Sequence, residues 1–307
     1  MAEKNKKLDL IAIGELNVDL IFDRLQGFPE KGKEKIAEEM TLTLGSSSAI
    51  FASNAAALGL RVGFVGKLGE DSFGDLILSR LKKRRVEVSQ IIRQKKFATG
   101  ATVVINAQPE RAMMTYKGPM DTLRLTDIPW SYVSSARHMH LSSYYLQKGL
   151  QPGCQKLFQK AQALGLSTSL DTNWDPEEKW GKELFKILPY VDIFLPNEKE
   201  SLGITRAPSV VMAMRDLARY ARIVVVKCGG RGALAQQGQK IFKAAVIKNK
   251  IVDTVGAGDS VDAGFIAQFL KGASLLQCLH FANRCGAFST TQSGGTAAFD
   301  EGGHRIP

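Results

Sequence analysis

Cysteine is scarce in this chain of 307 residues, with only Cys154, Cys228, Cys278 and Cys285. No two of them share C-x-x-C spacing, and the four histidines form no zinc pattern with them. A disulfide framework and a zinc module are therefore excluded. Four buried, reduced thiols are expected, with Cys278 and Cys285 seven residues apart on one helix face. Long apolar runs are lacking as well, and none approaches the ~20 residues that span a bilayer. The opening Met1-Ala2-Glu3-Lys4-Asn5-Lys6-Lys7 leads straight into Leu8-Asp9-Leu10-Ile11-Ala12-Ile13. It has neither the apolar core nor the cleavage site of a signal peptide, so a cytosolic protein away from membranes is expected. There are no repeats, low-complexity tracts or Pro/Ser-rich linkers. The 29 glycines and 10 prolines are spread as loop punctuation, which excludes a long disordered or collagen-like region. One domain over 1–307 is expected.

The charge is unbalanced, with 41 Lys+Arg against 30 Asp+Glu and a formal net charge of +11. The densest basic cluster, Arg80-Leu81-Lys82-Lys83-Arg84-Arg85, ends a stretch of helical period. Cations there offset the helix macrodipole, so a solvated helix end is expected. No aromatics interleave with the cluster, and no nucleic-acid partner is implied. The net charge supports only a general attraction for anionic ligands.

Short apolar runs alternate with helix-period segments. Strands are expected at 8–14, 62–66, 137–142, 166–171, 191–196 and 223–227. Helices are expected at 49–59, 72–84, 152–164, 178–188, 198–203, 210–221, 259–271 and 274–290. Nearly continuous apolar strands such as Ile223-Val224-Val225-Val226 suit a parallel sheet buried on both faces. The fold class is α/β, a doubly wound, mostly parallel sheet flanked by helices. Residues 20–44 and 97–117 alternate without a helical period. They read as a small β-strand lid, with a hairpin across Ala107-Gln108-Pro109-Glu110 and an outer surface suited to a homodimer.

The most informative segment runs from Val252 to Phe265 and opens the helix that continues through Leu270. Gly256, Ala257 and Gly258 let the backbone fold tightly and present N–H groups at a helix N-terminus. Those donors form an anion site suited to a transferring phosphoryl group. Asp259 sits at the same terminus, placed either to take a proton from an attacking hydroxyl or to cap the helix.

Asp253-Thr254-Val255-Gly256-Ala257-Gly258-Asp259 resembles, without a gap, the C-terminal signature of the ribokinase-like sugar kinases, the PfkB carbohydrate kinases. Their N-terminal signature is represented by Gly45-Ser46-Ser47-Ser48-Ala49-Ile50 and by the run from Gly59 to Asp71. The resemblance covers essentially the whole chain. It implies an ATP-dependent kinase acting on a small-molecule sugar, most simply at a primary alcohol. Asp259 would be the general base, and Gly256, Ala257 and Gly258 the anion hole. Asn17, Asp19, Gly45, Ser46 and Asn173 fall where the family holds its sugar. Asn197 and Glu200 match an N-x-x-E element that handles Mg²⁺ through water, although the same pair reads as a capping box. Lys227, Gly229 and Gly232 match a nucleotide loop, Asn283 falls beside the adenine, and Ser293-Gly294-Gly295-Thr296 would close that pocket. Asp253, Val255, Ser289 and Gly294 fall where relatives bind a monovalent cation such as K⁺, with a structural salt bridge for Asp253 as the alternative.

Two departures bear on the acceptor. Ile50 replaces an amide that contacts the sugar in ribokinases, which argues against ribose held in that manner. Asp175 stands where fructokinase-like and ketodeoxygluconate kinase-like members carry Arg, which argues against a carboxylated sugar acid. Trp174 and Trp180 read as core residues, with stacking on a sugar or base as the alternative. A nucleoside kinase of the same family and a catalytically silent sugar- or nucleotide-binding protein remain as further readings.

Overall fold

The computed structural model describes residues 6–107, 110–300 and 306. The first half of the chain gives β1 (Leu8–Ile13), β2 (Asn17–Asp23), β3 (Glu39–Leu44), α1 (Ser47–Ala57), β4 (Val62–Gly69), α2 (Ser72–Lys83) and β5 (Glu87–Gln94). Next come β6 (Gly100–Ala107), β7 (Glu110–Tyr116), α3 (Trp130–Val133), β8 (Ala136–Leu141), α4 (Cys154–Ala163) and β9 (Ser167–Leu170). The remainder is α5 (Leu184–Ile187), β10 (Ile193–Phe194), α6 (Glu198–Thr205), α7 (Val210–Leu217), β11 (Ile223–Lys227), β12 (Ala233–Gln237), β13 (Lys240–Ala244), α8 (Ala257–Leu270) and α9 (Leu275–Ser289).

Among the described residues the main sheet has the order β13-β12-β11-β10-β9-β8-β1-β4-β5. It is parallel except at β12 and β13, which pair antiparallel as a hairpin beside β11. The inner strands β1, β4 and β11 are almost wholly buried, as their apolar runs require, whereas the outer strands β5 and β13 are largely open to solvent. Leu10 and Ala12 of β1 pack into a cluster with Phe51, Phe64, Phe265 and Leu279, while Ile11 and Ile13 pack with Phe158, Leu184 and Met214. A second sheet, β3-β2-β6-β7, forms the expected lid. Its β6–β7 turn holds Gln108 and Pro109, which lie outside the described residues, as does the opening Met1–Asn5. Met40, Met114 and Tyr116 on the lid are exposed. No helix among the described residues is long and apolar enough to cross a membrane.

Several elements differ from expectation. Strand β10 is only two residues long, and β5, β12 and β13 are strands that periodicity does not reveal. The helix expected over 178–188 is confined to α5, followed by a 3₁₀ turn. The Asp175 carboxylate accepts the amides of Glu177 (3.1 Å) and Trp180 (2.8 Å), and Glu178 and Trp180 adopt positive φ, so this stretch closes on itself as a loop. Arg84 is not part of a solvated helix end. It turns inward, donates to the carbonyls of Phe299 and Thr296, and pairs with Asp300. Cys154, Cys278 and Cys285 are buried, whereas Cys228 is half-buried, and all four are unbridged.

Strand β8 carries a buried polar ladder. His138 bonds Ser167 and Ser169, and His140 bonds Ser169 and Ser142, each at 2.7 Å. His140 also stacks on Phe51. Burial, with help from Arg137, pushes His138 down to about 3. Its folded-state pKa lies below the unfolded value, so the unfolded chain binds more protons and stability falls as pH drops from about 6.5 toward about 3. At pH 5 this group alone should cost about 2 kcal/mol relative to pH 7. The pH 7-to-5 loss in denaturation free energy should be smaller by about that amount in His138→Gln. Equal losses in the two proteins would contradict this.

Candidate active site

The parallel strands all end at one edge of the main sheet, where α/β folds bind ligands. Glu15 follows β1, Asp171 follows β9, Asn197 follows β10, and Lys227 ends β11. The lid covers this edge, enclosing a cavity of about 660 Å³. Of the expected site residues, Asn17, Asp19, Ser46, Asn173, Asn197, Glu200, Lys227, Gly229, Gly232, Val255, Gly256, Ala257, Gly258, Asp259 and Asn283 line it. Gly45, Asp253, Ser289 and Gly294 stand behind the wall.

At the lid end, Gly45 lies directly under Asp19. A Cβ there would come within 2.1 Å of the Asp19 Oδ1, so only glycine lets the two strands meet. The Asn17 side-chain amide donates to Thr102 Oγ1 (2.9 Å) and Asp19 Oδ1 (3.2 Å), and Thr102 continues the ladder to Thr115 (3.0 Å). Its donors are thus engaged within the lid, which leaves Asn17 Oδ1 as an acceptor. Ser46 caps α1, taking the Ala49 amide and donating to the Glu15 carbonyl, so its side chain turns toward the helix. Ile50 packs between Gly256 and Gly295. The amide of this helix comes one turn later, at Asn54, which donates to Ser260 Oγ and the Gly295 carbonyl.

Two expectations shift here. Asp175 orders its own loop and is not among the residues lining the cavity, so it is not itself a contact for the acceptor. Trp174 is not core. It is 40% exposed at the cavity wall, while Trp180 packs edge-on against Tyr145 and Trp174.

At the other end, Gly256 precedes α8 with φ 71, and a Cβ would lie 2.5 Å from Gly295 Cα. This left-handed residue reverses the chain so that the first-turn amides of α8 meet the cavity. Those amides have no intrahelical acceptor and carry the positive end of the helix dipole. Asn197 and Glu200 form the full capping box. The Glu200 carboxylate accepts the Asn197 amide (2.8 Å) and side chain (2.5 Å), and the Asn197 side chain accepts the Glu200 amide (2.9 Å). Asn283 donates to the carbonyls of Ala244 (2.8 Å) and Ala245 (3.0 Å), clamping the end of β13. Gly294 and Gly295 do not close this end. Val246, Ile247, Asn249 and Ile251 together with Ala287 and Thr290 do. Asp253 makes no salt bridge among the described residues. Its carboxylate accepts the amides of Val255 (3.0 Å) and Gly294 (2.8 Å), and its own amide bonds the carbonyl of Thr290, the residue after Ser289.

Between the two ends lies a charged centre. Asp171, Asp259 and Asp262 present carboxylate oxygens within 4.8 Å of one another. The Lys227 ammonium bonds Asp171 (3.1 Å) and Asp262 (2.9 Å). Burial opposes the Lys227 charge, but these two carboxylates outweigh it and hold its pKa above the usual range. Burial, then the Asp171 charge, raises Asp259 to about 7, against the opposing effects of Lys227 and Ser47. Burial, then Asp259 and Asp253, raises Asp19 to about 7. Glu200 is raised by burial and Asp171, and Asp262 by burial. Asp171, Asp259, Asp262 and Glu200 thus gather around one ammonium.

Sequence reasoning gave no role to Glu15, Ser47, Arg111, Asp171 or Asp262, all of which are at or beside this centre. Asp262 carried a readable signal, since it follows Asp259 by three and shares its helix face. Glu15 carried another, as the first charged group beyond the apolar end of β1. Arg111 lines the cavity from β7 and makes no ion pair among the described residues.

The model of the pfkB family carbohydrate kinases matches residues 7–301. A protein of Archaeoglobus fulgidus described as an uncharacterized sugar kinase is 29% identical over 230 residues, covering 74% of this chain and 90% of its own. The 5-dehydro-2-deoxygluconokinase 1 of Bacillus cereus is 28% identical over 298 residues, covering 90% and 87%. The structure of Arabidopsis thaliana ribokinase complexed with ribose and ATP superimposes with a TM-score of 0.80 over 95% of each chain. At 22% identity, that likeness speaks for the fold alone.

Proposed function

Because this chain belongs to the pfkB family of carbohydrate kinases, we propose that it transfers the γ-phosphoryl group of ATP to a hydroxyl of a small sugar or sugar acid. One observation carries the reading. Asp259 lines the same cavity as Asn17 and Asp19 of the polar lid end and the amide turn at Gly256–Gly258, so an acceptor hydroxyl and a phosphate held by those two groups would meet beside it. As the acceptor oxygen bonds to the γ-phosphorus, its proton passes to Asp259 and the bond to the ADP oxygen breaks. A base raised to about 7 suits this task better near neutral pH than an ordinary carboxylate. The first-turn amides of α8 hold the charge on the phosphoryl oxygens. The lid strands exclude water, which would otherwise compete for ATP.

The excess of carboxylates over the single Lys227 ammonium fits a divalent cation, with Glu200 holding Mg²⁺ through water. Bound with ATP, that ion offsets phosphate charge. A monovalent cation fits at Asp253, whose carboxylate meets two amides and no paired cation among the described residues.

Arg111 supports a carboxylated acceptor, because it is a cation of the lid wall without an ion-pair partner among the described residues. The Bacillus relatives are named for such a substrate. A nucleoside acceptor is the second reading, favoured by the apolar wall of Met113, Met120, Leu146 and Trp174.

ADP release with Mg·ATP, measured against hexoses, pentoses, sugar acids and nucleosides, tests this. A sugar acid that outpaces its neutral counterpart by tenfold or more would support the Arg111 reading, and a nucleoside responder the second one. Silence across the panel from protein that binds ATP would overturn the kinase reading in favour of a binding role.

A further inference from the structure

Phe51, Ala52 and Ala55 of α1 share the main apolar cluster with Ala263, Phe265 and Ile266 of α8. In the same stretch of α1, Asn54 is polar and 0% exposed. Both of its amide protons are engaged. One goes to the Gly295 carbonyl (2.9 Å), which can only accept, and the other to Ser260 Oγ (3.0 Å). The Ser260 proton goes in turn to the Gly256 carbonyl (2.8 Å), which again can only accept. A carbonyl at each end thus fixes the direction of every bond in the line. It leaves Asn54 Oδ1 buried with no hydrogen-bond partner among the described residues. An unpaired buried acceptor costs stability, and an apolar side chain at this position would avoid that cost. Packing alone therefore does not account for an asparagine here.

The two carbonyls that Asn54 governs flank the anion turn, where Gly256 and Gly295 stand too close for a Cβ between them. Asn54 bonds one side of this contact directly and the other through Ser260. The Gly256 carbonyl belongs to the first peptide of α8 and also accepts the Ser260 amide (2.9 Å). Its orientation sets the start of the helix, where the amides of Gly258 and Asp259 make no hydrogen bond among the described residues. We propose that Asn54 is a positioning residue for the anion turn: it holds the Gly256 and Gly295 carbonyls in place, so that the free amides of Gly258 and Asp259 stay aimed at the transferring phosphoryl group. This inference rests on the reading of the chain as a kinase. Neither Asn54 nor Ser260 lines the cavity, so both act through the turn.

Asn54→Leu removes the amide and keeps a side chain of similar shape. It should lower kcat about tenfold, less than the loss of an anion-hole donor outright, because the amides remain and only their aim is loosened. The KM of the acceptor and the affinity for Mg·ADP, read by calorimetry, should each change by less than about twofold, because neither ligand fills the place of the γ-phosphoryl group. Mg·ADP with aluminium fluoride and acceptor mimics the group in transfer, and it should bind about tenfold more weakly than to wild type. Ser260→Ala cuts only the link to Gly256 and should show the same pattern to a smaller degree. The double variant should match Asn54→Leu, since both changes break one line. If Asn54→Leu does not fold, Ser260→Ala decides alone. An unchanged kcat, a raised KM with unchanged kcat, equal weakening of Mg·ADP with and without aluminium fluoride, or losses that multiply would overturn the proposal while wild-type turnover still upheld the kinase. A wild type without turnover would overturn both.

Discussion

Replacing Asp259 with Asn should lower kcat by about 10²–10⁴-fold while ATP and the acceptor still bind. The substitution keeps the shape of the side chain and removes its capacity to take a proton. It also removes a negative charge from a cluster that already holds Asp171 and Asp262 within 4.8 Å. Repulsion toward the phosphates therefore falls, and ATP affinity measured by calorimetry should be unchanged or tighter. The pH dependence gives a second reading. Burial and Asp171 raise the Asp259 carboxyl to about 7 in the ligand-free protein, and the base is competent only when ionised, so wild-type kcat/KM should fall tenfold per pH unit as pH drops below that value. The residual rate of the Asn variant should lack this limb. A variant with full turnover would move the base to Asp171 or Asp262. A wild type without turnover, in which Asp259→Asn changes only binding, would mark a silent scaffold.

Much of this architecture could be read from the residues, because two kinds of signal are local. Continuous apolar runs such as Ile223–Val226 mark buried parallel strands, and the polar residue at or just past each run marks the ligand edge, as at Lys227 and Asn197. The turn before α8 is equally local, since Gly256 must take a positive φ. Edge strands escape notice because one side is wet and their pattern is polar. The β12–β13 hairpin turns within Gln236-Gln237-Gly238-Gln239-Lys240, which reads as a loop. The stretch after Asp175 has helical composition, yet a single carboxylate collecting two amides overrides it. The line of hydrogen bonds from Glu15 through Ser143 and Asn173 to Ser47 is of another kind. Ser47 and Asn173 are 126 positions apart, and no spacing rule joins them. Which proton of Asn173 goes where is decided by a carboxylate on a third segment, so only the folded arrangement exposes these bonds.

Lys227→Met should destabilise the protein by about 3–5 kcal/mol at pH 8, the cost of leaving buried carboxylates without their partner. Asp171 and Asp262 are 4% and 1% exposed, and the Lys227 ammonium bonds both. Methionine fills most of the volume, so the loss is of charge more than of packing. The deficit should depend on pH in a defined direction. Asp262 already has a folded-state pKa well above its ordinary value. Removing the ammonium raises it further, and a carboxyl with a raised folded-state pKa destabilises the fold fully above that pKa, a penalty that shrinks as pH falls from there toward the unfolded value. The difference in denaturation free energy between Lys227→Met and wild type should therefore be largest at pH 8 and smaller at pH 5.5. Comparing the two proteins at each pH cancels the histidine contribution common to both. A deficit that stays constant would mean the carboxylates do not sense Lys227, and its ammonium would then be free for the phosphates at neighbouring Gly258. The expected result gives the cluster a single logic. The same crowding of carboxylates that makes Asp259 a base near neutrality would unfold the strand ends without a resident cation, and Lys227 supplies that cation whether or not nucleotide is bound.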